Sequence, residues 1–175
     1  MVPPGYPPST DAAPPLPGDL AGFWRRFGGS VLDGLLYGLL WLPFAVVGFV
    51  LIFVVGLGDC TTDDFTDELV CDGRENVGAI VGGSLVVLVG WLLAAYLYLR
   101  ALATRGQTWG RKLAGVRVVS AASGGAPGWG KAIGRTLFAA FISGNFCYLG
   151  YLWMLWDSKR QTWHDKVAGT LVLET

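Results

Sequence analysis

The chain has 175 residues, 53% hydrophobic and only 15% charged, with 13 basic against 13 acidic side chains and a mean hydropathy of +0.48. A soluble domain carries about 25% charged residues; the shortfall here lies in three uncharged runs, 34–57, 77–99 and 136–156, which exclude an ordinary small soluble core. There is no G-x-S-x-G, no H-E-x-x-H and no P-loop, so the sequence points to no enzyme and no cofactor, and one histidine is too few for a zinc site.

Residues 1–22 hold seven of the nine prolines. Such a segment neither forms a helix nor buries apolar area, which predicts a disordered arm ahead of a membrane domain over 23–175. Trp24, Arg25 and Arg26 follow, a combination suited to the headgroup level of a bilayer. The first run then gives a helix long enough to cross, and too long for the apolar part of a signal peptide. Asp33 lies inside it, seven residues after Arg26 and on nearly the same helix face. A carboxylate near hydrocarbon needs a partner. Asp33 is therefore either part of an ion or proton path or a structural polar group that locks the first helix to its neighbours. Gly34 and Gly38 form a G-x-x-x-G pair that permits close helix approach, and Pro43 is expected to kink the span.

Residues 59–76 form a loop with seven acids against Arg74 alone; 77–99 is a second span; 100–135 carries seven basic residues and no acid. The basic loop belongs in the cytoplasm by the positive-inside rule, which puts the N-terminus inside and the acidic loop outside. Cys60 and Cys71, both in the outer loop, are candidates for a disulfide, and Cys147 is read as packing. The basic loop lies against a membrane, so its expected partner is anionic lipid rather than nucleic acid.

The C-terminal half contains a repeat. Residues 107–115 read QTWGRKLAG and 161–169 read QTWHDKVAG, 54 residues apart, each leading into a β-branched stretch. Trp109, Arg111 and Gly115 in the first copy thus correspond to Trp163, Asp165 and Gly169 in the second. Two copies of one local structure belong on one side of the membrane, and their strands could pair as a small cytoplasmic sheet with Arg111 facing Asp165. The run 136–156 must then enter and leave on one side, turning near Gly144-Asn145. The competing reading is a plain third crossing with the second copy outside. The expected fold is an all-α membrane protein with two full transmembrane helices, this third apolar segment, and the two-stranded sheet.

Arg26 and Asp33 on the first helix, G-Q-T-x-G-R-K-x-x-G-V-R-V-V across 106–119, Arg135, and R-Q-T-W-H-D-K-x-A-G-T at 160–170 together resemble the RDD family of membrane proteins. The resemblance covers about 150 residues, and the arginine and two aspartates of the family's name map to Arg26, Asp33 and Asp165. It implies a small multi-pass bacterial protein of the cell membrane, with transport proposed for the family and cation/proton exchange attributed to a few members. On that reading Asp33 is the titrating carboxylate, Asp165 and His164 a cytoplasmic relay, and Asn145 with Tyr37, Tyr96 and Tyr98 donors to a partly dehydrated monovalent cation. Three short helices enclose little, so a path would require a homo-oligomer. The alternative is an accessory membrane protein that binds partner proteins or anionic headgroups without transporting anything.

Overall fold

The computed structural model describes residues 18–57, 60–62, 69–71, 76–143 and 149–175. Asn145, Cys147 and the expected turn at Gly144-Asn145 lie outside them, as does most of the proline-rich arm. In chain order the elements are α1 (Phe23–Phe49, extended by a π-helical turn at Val50–Gly56), β1 (Cys60–Thr62), β2 (Leu69–Cys71), α2 (Val77–Arg105), α3 (Trp109–Leu113), β3 (Val116–Ser120), α4 (Gly128–Phe138, extended by a π-helical turn at Ala139–Ser143), α5 (Leu149–Leu152), a 3₁₀ turn at Trp153–Leu155, α6 (Trp163–Ala168) and β4 (Thr170–Glu174). The chain divides into two compact units, residues 31–98 and residues 1–30 with 99–175.

Residues 31–98 hold most of α1 and α2, the two helices long and apolar enough to cross a membrane by length and composition. Their outward faces are apolar, with Leu35, Leu39, Leu88 and Trp91 all exposed. The helices meet where side chains vanish. A Cβ at Gly83 would lie 2.8 Å from the Gly48 carbonyl oxygen, one at Gly48 would strike Val87, and one at Gly90 would strike Phe44. The sequence pointed to Gly34 and Gly38 for this contact, yet nothing lies within 4 Å of a Cβ built at either. The correction is one of register: close approach selects glycines facing the partner helix, and spacing alone does not say which face that is. The indole Nε1 of Trp41 donates to the Val87 carbonyl (3.3 Å), and the Tyr37 and Tyr98 rings meet edge to face at 5.4 Å. Beyond α1, β1 and β2 pair antiparallel with Cys60 opposite Cys71.

In the other unit the two repeat copies form one antiparallel sheet, β3 with β4, in the register Val116↔Glu174 through Ser120↔Thr170. The central pair, Val118↔Val172, consists of repeat-equivalent residues, so a pseudo-twofold axis passes through it. The rest obeys the same symmetry. Gln107 Nε2 donates to the Val116 carbonyl (3.2 Å) and Gln161 Nε2 to that of Thr170 (2.9 Å). Gly115 O accepts from Thr175 N (3.0 Å) as Gly169 O accepts from Ala121 N (2.9 Å). Gly115 and Gly169 both adopt positive φ, 65° and 59°, which turns each helix into its strand at a place where a side chain would be strained. Strands hydrogen-bonded along five register pairs cannot lie on opposite sides of a bilayer, which removes the reading with the second copy on the far side.

The third apolar run is not one helix. Helicity begins earlier than expected, at Gly128, and after Ser143 the next described residues form α5 and a 3₁₀ turn. The Tyr151 hydroxyl donates to the Ala139 carbonyl (3.5 Å), although twelve residues of continuous helix would separate their backbones by about 18 Å. The chain has doubled back. The end of the proline-rich segment is also ordered: Leu20 bridges Leu173, with Ala21 N on Val172 O and Glu174 N on Asp19 O (both 2.9 Å), so residues 19–21 run along the outer edge of β4. Leu20 joins Val119, Leu171 and Leu173 in the core beneath the sheet.

Candidate functional site: a carboxylate held by two arginines

Asp165 is the centre of the sheet-bearing unit. It is the third residue of α6, and Thr162 caps that helix reciprocally: the Asp165 backbone N–H donates to Thr162 Oγ1 (3.4 Å), and the Thr162 N–H donates to the Asp165 carboxylate (3.4 Å). The side chain is fully buried, and every oxygen is spoken for. Arg135 Nε of α4 reaches Oδ1 at 2.8 Å and Arg26 Nη1 of α1 reaches Oδ2 at 3.2 Å. The hydroxyls of Thr170 (3.1 Å) and Thr162 (2.8 Å) also donate to it. Burial by itself pushes the carboxyl pKa up, but the charges of Arg135 and Arg26, with the Thr162 hydroxyl, outweigh it and hold the group well below the usual carboxylate range.

His164 faces the other side of Thr162, its Nε2 2.9 Å from Oγ1, with its ring edge-on to Tyr151 at 5.0 Å between centroids. The Thr162 hydroxyl has one proton and gives it to Asp165, which as a carboxylate only accepts. The short contact therefore requires His164 to donate through Nε2–H. Burial, then the nearby Arg135 charge, lower the imidazole pKa to about 3, with Asp165 only partly opposing them. The imidazole is neutral at every physiological pH.

Arg26 does more than neutralise. Its Nε donates to Ala21 O (3.1 Å) and its Nη2 to Val172 O (3.3 Å), so one guanidinium ties the segment before α1, strand β4 and Asp165 together. The second copy of the repeat thus carries the ionic centre. In the first copy Arg111 occupies the position of Asp165, buried, with Nη1 3.5 Å from Thr108 Oγ1.

The RDD family's sequence model matches residues 20–169. This chain belongs to the RDD family. The matched stretch begins at the residue that bridges β4 and ends at the glycine that opens it, so it contains both repeat helices and Arg26, Arg135, Thr162 and Asp165 of the ionic centre. The proline-rich antigen homologue of Mycobacterium tuberculosis is 32% identical over 143 residues, which cover 75% of this chain and 56% of that protein. The proline-rich antigen of Mycobacterium leprae is 38% identical over 95 residues, 52% of this chain and 38% of that protein. The matches therefore span only 56% and 38% of the length of these two relatives. No solved structure matches.

The structure joins Arg26 to Asp165, 139 positions apart in sequence. Arg26 turns to the sheet, bonding Asp165 and the Val172 carbonyl. Asp33 is buried on α1, 4% exposed, within the unit of the two long helices. Arg135 holds the place beside Asp165 Oδ1. Trp109 and Trp163 each open a repeat helix, Trp163 packing on Trp153 at 5.9 Å. Arg135 appeared in the family resemblance but not among the expected site residues. The available signal was charge counting, since a part-buried Arg26 and a buried Asp165 beside further repeat-flanking arginines need a closed ionic set. The basic segment 100–135 is correspondingly less exposed than its composition suggests: Arg111 and Arg135 are buried, and Lys131 Nζ sits 2.6 Å from Ser120 Oγ. Among the described residues no cluster of His, Cys, Asp and Glu could hold a metal ion.

Proposed function

We propose that the protein is a non-transporting accessory component of the cell membrane, two helices crossing the bilayer and the β3–β4 unit folded against its cytoplasmic side. The apolar outer faces of α1 and α2 support the crossing, because bare Leu, Val, Phe and Trp along two long helices need lipid or protein around them. The arginine- and lysine-rich segment between α2 and α4 supports the orientation, with the N-terminus inside.

One observation favours an accessory role over exchange. The Asp165 carboxylate is saturated by two guanidinium groups and two hydroxyls, and its neighbour His164 stays neutral, so the centre holds no proton that leaves and returns near neutral pH. A proton/cation exchanger needs a negative site for which the two ions compete. An ionic lock is what the geometry provides, and it fixes the sheet, the segment before α1 and α4 as one rigid platform.

Exchange retains one supporting observation, the buried Asp33 on an otherwise uncharged stretch of helix. Proteoliposomes carrying the purified chain and a pH-sensitive dye separate the two. The accessory reading predicts no proton movement when sodium or potassium is added. Cation-dependent acidification or alkalinisation that disappears in Asp33→Asn overturns it.

A further inference from the structure

We infer that the cleft between the start of α1 and the turn at 154–160 binds the phosphate of an anionic phospholipid. The cleft has a volume of about 360 Å³, and its lining includes Phe23, Leu155, Asp157, Ser158 and Arg160. That size falls at the small end of ligand sites, with room for a headgroup and not for a protein segment. The inference rests on the membrane placement proposed above.

The strongest observation is the backbone of Arg160, the only non-glycine among the described residues with positive φ, at 47°. A non-glycine residue held in the left-handed region is disfavoured and persists only where its surroundings impose it. Here Asp157 imposes it. Its carboxylate accepts from the backbone N–H of Lys159 (3.2 Å) and Gln161 (2.9 Å), and its carbonyl accepts from Arg160 N (2.9 Å). The result aims the Arg160 side chain at the α1 end of the cleft, where Nη1 donates to Leu20 O at 3.0 Å. One donor group is used and the rest of the fork remains for a ligand.

Charge and polarity fit a phospholipid. Asp157, an acid in the lining, is cancelled by Lys166 at 2.6 Å, which leaves Arg160 and the Ser158 hydroxyl to face an anion. Both rims are apolar and bare. Trp24 is 77% exposed beside Phe23 and Phe27, whose rings it meets at 5.3 and 6.3 Å; Leu155 in the lining is 58% exposed and its chain neighbour Trp156 is 72% exposed. Aromatic and basic side chains around one cleft are what the bilayer interface selects, with acyl chains on the rims and phosphate on the guanidinium.

The left-handed backbone supplies a clean test. Arg160→Gly removes the guanidinium and relieves the strained φ, so it separates binding from folding. The full chain, purified in neutral detergent, is titrated with phosphatidylglycerol, phosphatidylcholine and inorganic phosphate, and retained lipid is counted by native mass spectrometry alongside the melting temperature. The expected result is at least tenfold preferential retention of phosphatidylglycerol over phosphatidylcholine, lost in Arg160→Gly, whose melting temperature without lipid is unchanged or higher. Arg160→Asn, tolerated in the left-handed region, is expected to behave the same way and stands in if the glycine variant does not fold. Equal retention of both lipids, or unaltered retention in the variants, overturns the site. Stabilisation by inorganic phosphate equal to that by phosphatidylglycerol overturns the lipid as its ligand. Carbonate washing of the membranes reports separately on the placement: a chain that stays embedded yet shows no lipid preference refutes this site alone.

Discussion

Replacing Asp165 by Asn changes one atom type at the fully buried junction of Arg26 and Arg135. The amide keeps the volume but has a single oxygen, so it can accept from Thr162 or from Thr170 and not from both. It cannot neutralise two guanidinium groups, and its own NH₂ adds donors where donors already converge. Removing one partner of a buried ion pair costs about 3–5 kcal/mol, because the remaining charge stays desolvated and unpaired. A chain of this size loses about 2–4 °C of melting temperature per kcal/mol, so a drop of about 10 °C is expected for the sheet-bearing unit. The assay is thermal unfolding in detergent, followed by circular dichroism and by protease sensitivity of the segment before α1, which Arg26 ties to β4. Adding Arg135→Gln to Asp165→Asn removes one orphaned charge, and the double variant should be more stable than the two single losses summed, by a coupling of about 0.5–3 kcal/mol. A single variant melting within about 2 °C of the parent, or strictly additive losses, would refute the ionic lock.

Acid should weaken the fold in two stages. Below the unfolded imidazole pKa of about 6.5, the unfolded chain takes up a proton that His164 in the folded state refuses until about pH 3, so stability falls across that window. The Asp165 contribution is complete above the unfolded carboxyl value of about 3.9 and is lost only as pH drops toward its depressed folded value; a melting temperature flat from pH 7 to pH 4 contradicts the His164 assignment. Gly169→Ala should cost about 1–2 kcal/mol by left-handed strain alone, since nothing lies within 4 Å of the added methyl, whereas Gly106→Ala should cost far more because its Cβ would collide with the Val118 carbonyl; equal melting temperatures for the two would contradict the turn geometry. A cysteine at Thr62 should react with an impermeant thiol reagent added outside intact cells and one at Ser123 should not, in a Cys60→Ser, Cys71→Ser background; the opposite pattern inverts the proposed orientation.

The sheet was legible because the repeat carries its own register. Two copies ending in Gly and a β-branched stretch predict two similar strands, and the 54-residue offset is what centres the pairing on Val118 and Val172. The two long helices were legible from hydropathy and length alone. The partners of Arg26 were not. Helical periodicity favours the local neighbour Asp33, whereas Asp165 comes within reach only once α6, β4 and residues 19–21 are assembled, and no spacing in the chain encodes a contact 139 residues long. The helix-packing glycines failed for a related reason. Gly34-x-x-x-Gly38 satisfies a pattern, but Gly48, Gly83 and Gly90 satisfy the geometry, and only the partner helix distinguishes them. The ordered residues 19–21 were hidden by proline content upstream, since composition averages over a window and a single bridge at Leu20 does not.

The chain has one histidine, so histidine-selective ¹⁵N labelling places a single reporter 2.9 Å from the hydroxyl that bonds Asp165, with no assignment problem. Nitrogen spectra of the labelled protein recorded from pH 8 to pH 5 test the central claim, that this centre is a closed ionic lock and not a proton relay. The account predicts an unchanging neutral imidazole protonated at Nε2 and unprotonated at Nδ1 throughout that range. A titration with a midpoint between 6 and 7, near the unperturbed value for histidine, would contradict it.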